Sequence, residues 1–320
     1  DDRIKIGWAT VVMLVILRLC LGCHFLYEGV WKIKHHDEFT AEPFLTEAKG
    51  PASPLFYAML PDIDGRQRLT ERDDKGQVRV SGKQDLAAAA EYHQRFVAHY
   101  GLSEEQKTEA ERELYRFQNS VDDFLAAHRA EILAHFKKLD LHEANVAEGN
   151  DGTPHQQKRL WDKQQELRKE ARQWCKDLDD MQVALQASLK AVLTSGQQAG
   201  GAMIRWNPLE WTRVEQINFA VTYGLTAIGL CLMLGFCTRL AALGGGAFMA
   251  FVVATQPSWP TIYPPAPPVV GHALLINKDF VEMVSLFLLA TTAAGRWGGL
   301  DVFLYRWLGR PMEKYLAERA

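Results

Sequence analysis

Glu28 and Lys32 stand four residues apart near the end of one apolar run, and Lys278 and Glu282 stand four apart at the start of another. Four-residue spacing puts each pair on one helix face. In the first pair the carboxylate precedes the lysine, the favourable order near a helix C-terminus. Ionisable groups are costly to place at a bilayer, so they point to binding or to proton exchange with a ligand. If the two pairs share a depth, the intervening stretch PSWPTIYPPAPPVVGHALLINKD folds Trp259, Tyr263 and His272 over them. Glu28, Lys32, Trp259, Tyr263, His272, Lys278 and Glu282 then form a candidate pocket, aromatic-lined and partly charged. The plainer reading of each pair is an interfacial ion pair with a snorkelling lysine.

The elements that must position these residues are apolar helices. Taken whole, 320 residues with 48% hydrophobic and 23% charged content describe an ordinary soluble protein. That average hides a segregation: residues 33–205 hold 24 of the 36 basic and 29 of the 39 acidic residues. The flanks carry four apolar segments, Ile6 to Trp31, Ile217 to Cys237, Leu240 to Gln256 and Phe280 to Ala294. Crossing the hydrocarbon core takes about 20 helical residues. The first two segments qualify, the third is marginal, and the fourth is short unless Asn277 or Trp297 extends it. The expectation is an all-α membrane protein, a four-transmembrane-helix bundle with a mostly helical insert between the first and second spans.

The first segment follows Arg3 and Lys5, as a signal peptide would, but continues to Tyr27, Trp31 and Lys32. Signal h-regions are shorter and end at small residues, so it reads as an uncleaved helix. Arg3, Lys5, Arg239, Arg296, Arg306, Arg310, Lys314 and Arg319 fall on one side of a four-span topology. The excess of basic residues makes that side cytoplasmic and puts the insert outside, in a bacterial inner membrane with both termini inside.

Within the insert, prolines and glycines break residues 35 to 83, and RLTERDDKGQVRV reads as a hairpin turning at Asp74, Lys75 and Gly76. From Asp85 the apolar residues recur at helical spacing through Phe96 and Tyr100. Ser103 and Gln106 form a capping-box signal, and Leu114, Phe117, Val121, Phe124, Leu125, Ile132 and Phe136 continue the stripe. EGNDGTP ends that helix, and a last one runs from about His155 to Leu193 with Trp161, Leu167, Trp174, Leu178, Met181 and Leu185 inward. An antiparallel helical hairpin is the simplest result. The expected division is 1–34, 35–205 and 206–320.

Other candidates fail on spacing. His35, His36, Asp37 and Glu38 lack a spaced partner ligand. His128, His135 and His142 recur every seven residues, about 10 Å apart, too far for one metal ion, and read as surface positions. The DIDGR stretch lacks the further ligands of a calcium loop. Cys20 and Cys23 fall within an apolar helix and read as small packing residues, and Cys175 is alone in the insert. No phosphate loop, haem motif or nucleophile elbow is present. No metal site, resident cofactor or nucleic-acid partner is indicated.

Arg18, Gly22, Phe25, Gly29 and Lys32 follow one another by four, three, four and three residues, a narrow stripe of the first helix. Glycines there admit a close neighbour and hide Arg18 from lipid. LRLCLGCHFLYEGVWKI resembles the first-helix signature of the DoxX/DoxD-like membrane proteins. GLCLMLGFCTRLAAL resembles that family's second helix, and AAGRWGGLDVFL its closing motif. The resemblance covers the apolar flanks and carries over to Arg18, Gly22, Gly29, Lys32, Gly235, Arg239, Gly295 and Asp301. It implies a small membrane subunit of a quinone-linked oxidoreductase, of the thiosulfate:quinone type, and so a quinone as ligand. The insert has no counterpart in compact members. It suggests the alternative, a non-catalytic membrane anchor whose helical insert docks an extracytoplasmic protein.

Overall fold

The computed structural model describes residues 7–36, 38–72, 76–147, 153–201, 203, 207–208, 211–257 and 276–309. Its long elements are α1 (Trp8–Lys34), α2 (Lys83–Tyr100), α3 (Glu104–Ala147), α4 (Pro154–Ala191), α5 (Arg213–Leu234), α6 (Thr238–Thr255) and α7 (Lys278–Thr291). A short antiparallel pair, β1 (Thr70–Arg72) and β2 (Val78–Val80), sets Thr70 opposite Val80. The protein is mostly helical, and it divides into two compact units, residues 1–60 with 211–320 and residues 61–210.

The first unit is built from α1, α5, α6 and α7. The first three, at 27, 22 and 18 residues, are long and apolar enough to cross a membrane. Its outer surface is apolar: Met13, Ile16 and Tyr27, Phe219 and Leu230, Leu240 and Leu243, and Val284 and Leu288 are all exposed. In water such a surface would drive association; facing lipid it costs nothing. The interior is narrow and rich in small residues. A Cβ at Gly29 would overlap Thr226, and one at Gly229 would overlap Leu26, so α1 and α5 meet backbone to backbone. Ala241, Ala242, Gly245 and Gly246 give α6 an equally thin face, against which Leu286 and Phe287 of α7 pack.

α7 is only 14 residues long, shorter than the expected segment. Asn277 caps its start by accepting the Phe280 amide at 2.8 Å, and Thr292 stops it by turning its hydroxyl back on the Leu289 carbonyl at 2.9 Å. At about 1.5 Å per residue it covers roughly 21 Å, less than the hydrocarbon thickness of about 30 Å.

The second unit has α3 and α4 as a long antiparallel pair. The start of α3 meets the end of α4, where Gln106 donates to the Val192 carbonyl at 2.9 Å. Phe117, Val121, Leu125, Ile132 and Phe136 of α3 are buried against Leu167, Leu178 and Leu185 of α4, the stripes that the periodicity predicts. Ser103 and Gln106 exchange hydrogen bonds as a capping box. Ion pairs tie residues 61–70 to these helices: Arg68 grips Asp85 and Asp179 at 2.6 Å each, and Arg168 reaches Asp64 at 3.0 Å.

One expectation needs correction. His135 and His142 are not surface positions; they are 2% and 7% exposed. Heptad spacing on an antiparallel pair marks the seam as readily as the outside, and His135 lies against Trp174, with its Nδ1 3.0 Å from Glu170. Residues 35–60 group with the apolar helices rather than with the insert. Lys49 donates its amide to the Thr255 carbonyl at 3.0 Å, Gln256 donates to the Glu47 carbonyl at 2.9 Å, and Phe56 packs edge-on to Phe251.

Candidate functional site

α1 buries Arg18, Leu21, Gly22, Phe25 and Gly29 along one stripe. Beside that stripe, toward its C-terminal end, His24, Glu28 and Lys32 follow at intervals of four. The start of α7 brings Lys278, Asp279 and Glu282 to the same place, and the six residues share a cavity of about 270 Å³. Phe25, Leu225, Phe248, Met249 and Val252 complete its walls.

Glu28 accepts a hydrogen bond from Lys32 Nζ at 2.8 Å. Lys278 and Glu282 do not form the other expected pair. Glu282, 7% exposed, instead sets its Oε1 3.0 Å from His24 Nδ1. The contact has ion-pair length but lies off the hydrogen-bonding axis, and that oxygen has no aligned donor among the described residues. Glu28 also faces His24 and Lys278, so one network spans the two helices. The cavity therefore combines three carboxylates, two amines and an imidazole with an apolar floor, a composition able to donate hydrogen bonds to a neutral ligand and to exchange protons with it.

An apolar cavity of about 230 Å³ adjoins it and shares Lys32, Phe248 and Val252. Phe39, Phe44, Leu45 and Phe251 line the rest. The cover comes from residues 38–58: the Ala41 amide donates to Asn218 Oδ1 at 2.8 Å, and Lys32 Nζ lies 5.1 Å from the centre of the Phe39 ring. Lys32 stands between a polar chamber and a greasy one.

The remaining residues of the resemblance gather elsewhere. Arg18, 1% exposed, donates to the Ala294 carbonyl at 3.1 Å and the Gly298 carbonyl at 3.4 Å. Asp301 accepts the Thr238 amide at 3.0 Å, while its own amide donates to the Gly235 carbonyl at 2.7 Å. Arg239 Nε donates to the Thr292 carbonyl at 2.9 Å. Gly235 is required twice over: its φ of 63° is left-handed, and a Cβ would collide with Arg18. A Cβ at Gly295 would strike Asp301 and Thr238. Arg18, Gly235, Arg239, Gly295 and Asp301 thus form a latch joining α1 and α6 to the chain after α7. Gly22 and Gly29 serve the α1–α5 contact, and Lys32 alone of the set lines the polar cavity.

No family model, curated protein or solved structure matches this chain. The chemistry must be read from the residues themselves. Trp259, Tyr263 and His272 lie outside the described residues. Among those described, no group of three or more His, Cys, Asp or Glu is placed to hold a metal ion, and all five cysteines are free. His35 stacks on Trp31 with ring centres 4.3 Å apart. His24 and Asp279 were missed as site residues. His24 had a signal: it precedes Glu28 by four and Lys32 by eight, on the same face.

Proposed function

We propose that this chain is a DoxX-like subunit of a quinone-linked membrane oxidoreductase, with four membrane-embedded helices and an extracytoplasmic insert. The observation that supports the reading is the pairing of a polar cavity with an adjoining apolar one, the two sharing Lys32, Phe248 and Val252 in their walls. A quinone has a head bearing two carbonyl oxygens and a long apolar tail, and the two chambers match those two chemistries. In this reading Lys32 and His24 donate to the carbonyl oxygens, and Phe248, Phe251 and Phe44 hold the tail. Reduction of a quinone to a quinol consumes two electrons and two protons; Glu28 and the His24–Glu282 pair pass the protons, and the electrons come from a partner that oxidises a sulfur compound such as thiosulfate.

In the proposed orientation the latch end, with Arg239 and Arg296, faces the cytoplasm of a bacterial cell, and the polar cavity lies near the outer face. α7 is shorter than the other three and is held by the latch beside α6. The second unit, with a core of its own, is the surface offered to partner subunits.

Extraction of the purified full chain and chromatography of the extract test this reading. Quinone should copurify, and His24→Ala combined with Glu282→Gln should lower its content about tenfold, the loss of one good polar contact. Quinone no higher than in an unrelated membrane protein prepared alongside would reject it. The anchor reading, supported by the separate core of the second unit, would then lead.

A further inference from the structure

We propose a second site, for a phosphate group, at the opposite end of the first unit where α6 begins. A cavity of about 310 Å³ there is lined by Thr238, Arg239, Thr292, Arg296, Asp301 and Tyr305. Three features point to an anion. Thr238, the first residue of the 18-residue α6, is 1% exposed, and its hydroxyl oxygen has no hydrogen-bond partner among the described residues. A buried hydroxyl is rarely left unmatched, so an unpartnered one lining a cavity calls for a ligand atom.

The second feature is a pair of guanidinium groups. Arg239 spends only its Nε on Thr292, and its two terminal nitrogens meet no described partner. Arg296 lies over the Tyr305 ring, 3.7 Å from its centre, and no described carboxylate pairs with it. The third is the helix start itself, whose leading amides favour negative charge. Asp301 is the one opposing carboxylate among the described lining residues, but it is engaged by the Thr238 amide on one side and interacts electrostatically with Arg18 on the other. Two free guanidinium edges, a buried hydroxyl and a helix N-terminus outweigh it.

Phosphate suits this set because its oxygens accept from several donors at once and pair with the flat guanidinium fork. Leu240, 70% exposed beside the cavity, extends the site with apolar surface. The phosphate belongs either to an anionic lipid headgroup or to free inorganic phosphate. The site shares no residue with the polar cavity, so its fate is separate from the quinone reading.

The test follows the thermal unfolding midpoint of the full chain in a non-ionic detergent. Three additions are compared: phosphatidylglycerol, a galactosyl diacylglycerol that lacks phosphate, and sodium phosphate against sodium chloride at equal ionic strength. Phosphatidylglycerol should raise the midpoint and the galactolipid should not. A rise with the lipid alone assigns a headgroup; a rise with inorganic phosphate as well assigns the free ion too. Arg296→Gln, at a residue whose described side-chain contact is with the Tyr305 ring, should weaken the response about tenfold in concentration, and Arg296→Lys should restore part of it. Thr238→Val should weaken it further. No phosphate-dependent rise, or a rise unchanged in Arg296→Gln, overturns the site.

Discussion

His24 Nδ1 and Glu282 Oε1 lie 3.0 Å apart, a contact that joins the first apolar helix to the last through a carboxylate shielded from solvent. Removing the imidazole leaves the carboxylate buried without its nearest polar neighbour. His24→Ala should cost about 1 kcal/mol of stability, less than a fully buried contact because His24 is partly exposed. Glu282→Gln should largely suppress that cost when combined with it. Detergent-to-SDS unfolding of the two single variants and the double variant measures the coupling, and strictly additive losses would show that the two groups do not interact.

Arg18 should behave as a structural residue. Its guanidinium reaches two carbonyls that no other described donor serves from that side, so Arg18→Leu should cost about 2 kcal/mol or more. Arg18→Lys should recover little, because a single ammonium does not reproduce the fork. Folded yield after size-exclusion chromatography reads this directly. A well-folded, stable Arg18→Leu protein would show that the guanidinium is not structural.

Gly229→Ala should loosen the α1–α5 contact. The added methyl meets the Leu26 backbone, and overpacking of this kind costs about 1–3 kcal/mol. Gly224→Ala, on the same helix but facing open space, is the matched control and should be neutral or mildly stabilising. Equal effects of the two would show that the helices do not approach as closely as described.

Burial, reinforced by the Lys163 and Arg168 charges, lowers the pKa of His142 below its ordinary value. The unfolded chain therefore takes up a proton at a pH where the folded chain does not. Stability is complete above the unfolded pKa of about 6.5 and falls as the pH drops toward the folded value. The urea midpoint of the full chain should be lower near pH 5 than near pH 7.5, and His142→Gln should flatten the difference. An unchanged slope in that variant would assign the effect to other groups.

Burial pushes the Cys175 thiol up to about 12. It should resist a maleimide at neutral pH in the native protein and react on unfolding in urea. Mass spectrometry of the labelled peptide decides; full labelling under native conditions would mean that the packing around Cys175 opens readily.

Periodicity made the long helices legible because burial imposes a repeat on the sequence: Phe117 to Phe136 and Leu167 to Leu185 announced the seam of the second unit. The Arg18 stripe was equally plain, since a charge among glycines has few places to go. The partner of Glu282 was not. Lys278 at four residues was the local expectation, but α7 turns Glu282 toward α1, and a partner some 250 residues away leaves no local trace. The cover formed by residues 38–58 escaped notice for a related reason: its prolines and short helices resemble a linker until Thr255 and Asn218 supply the hydrogen-bond partners. His135 misled because heptad spacing fits a seam and a solvent-facing row alike.

The Arg18–Ala294 hydrogen bond closes a loop of 276 residues, and this bears on how the protein is made. A ribosome adding about 5–20 residues per second takes on the order of tens of seconds to travel from one partner to the other. Throughout that interval the first apolar helix waits with its arginine unmatched, while the whole second unit is synthesised. The arginine must therefore be satisfied by water, by borrowed carbonyls or by a chaperone until the chain's last segment arrives. Truncation shortly before Ala294 would leave that wait without an end, marking the product for degradation rather than for slow assembly.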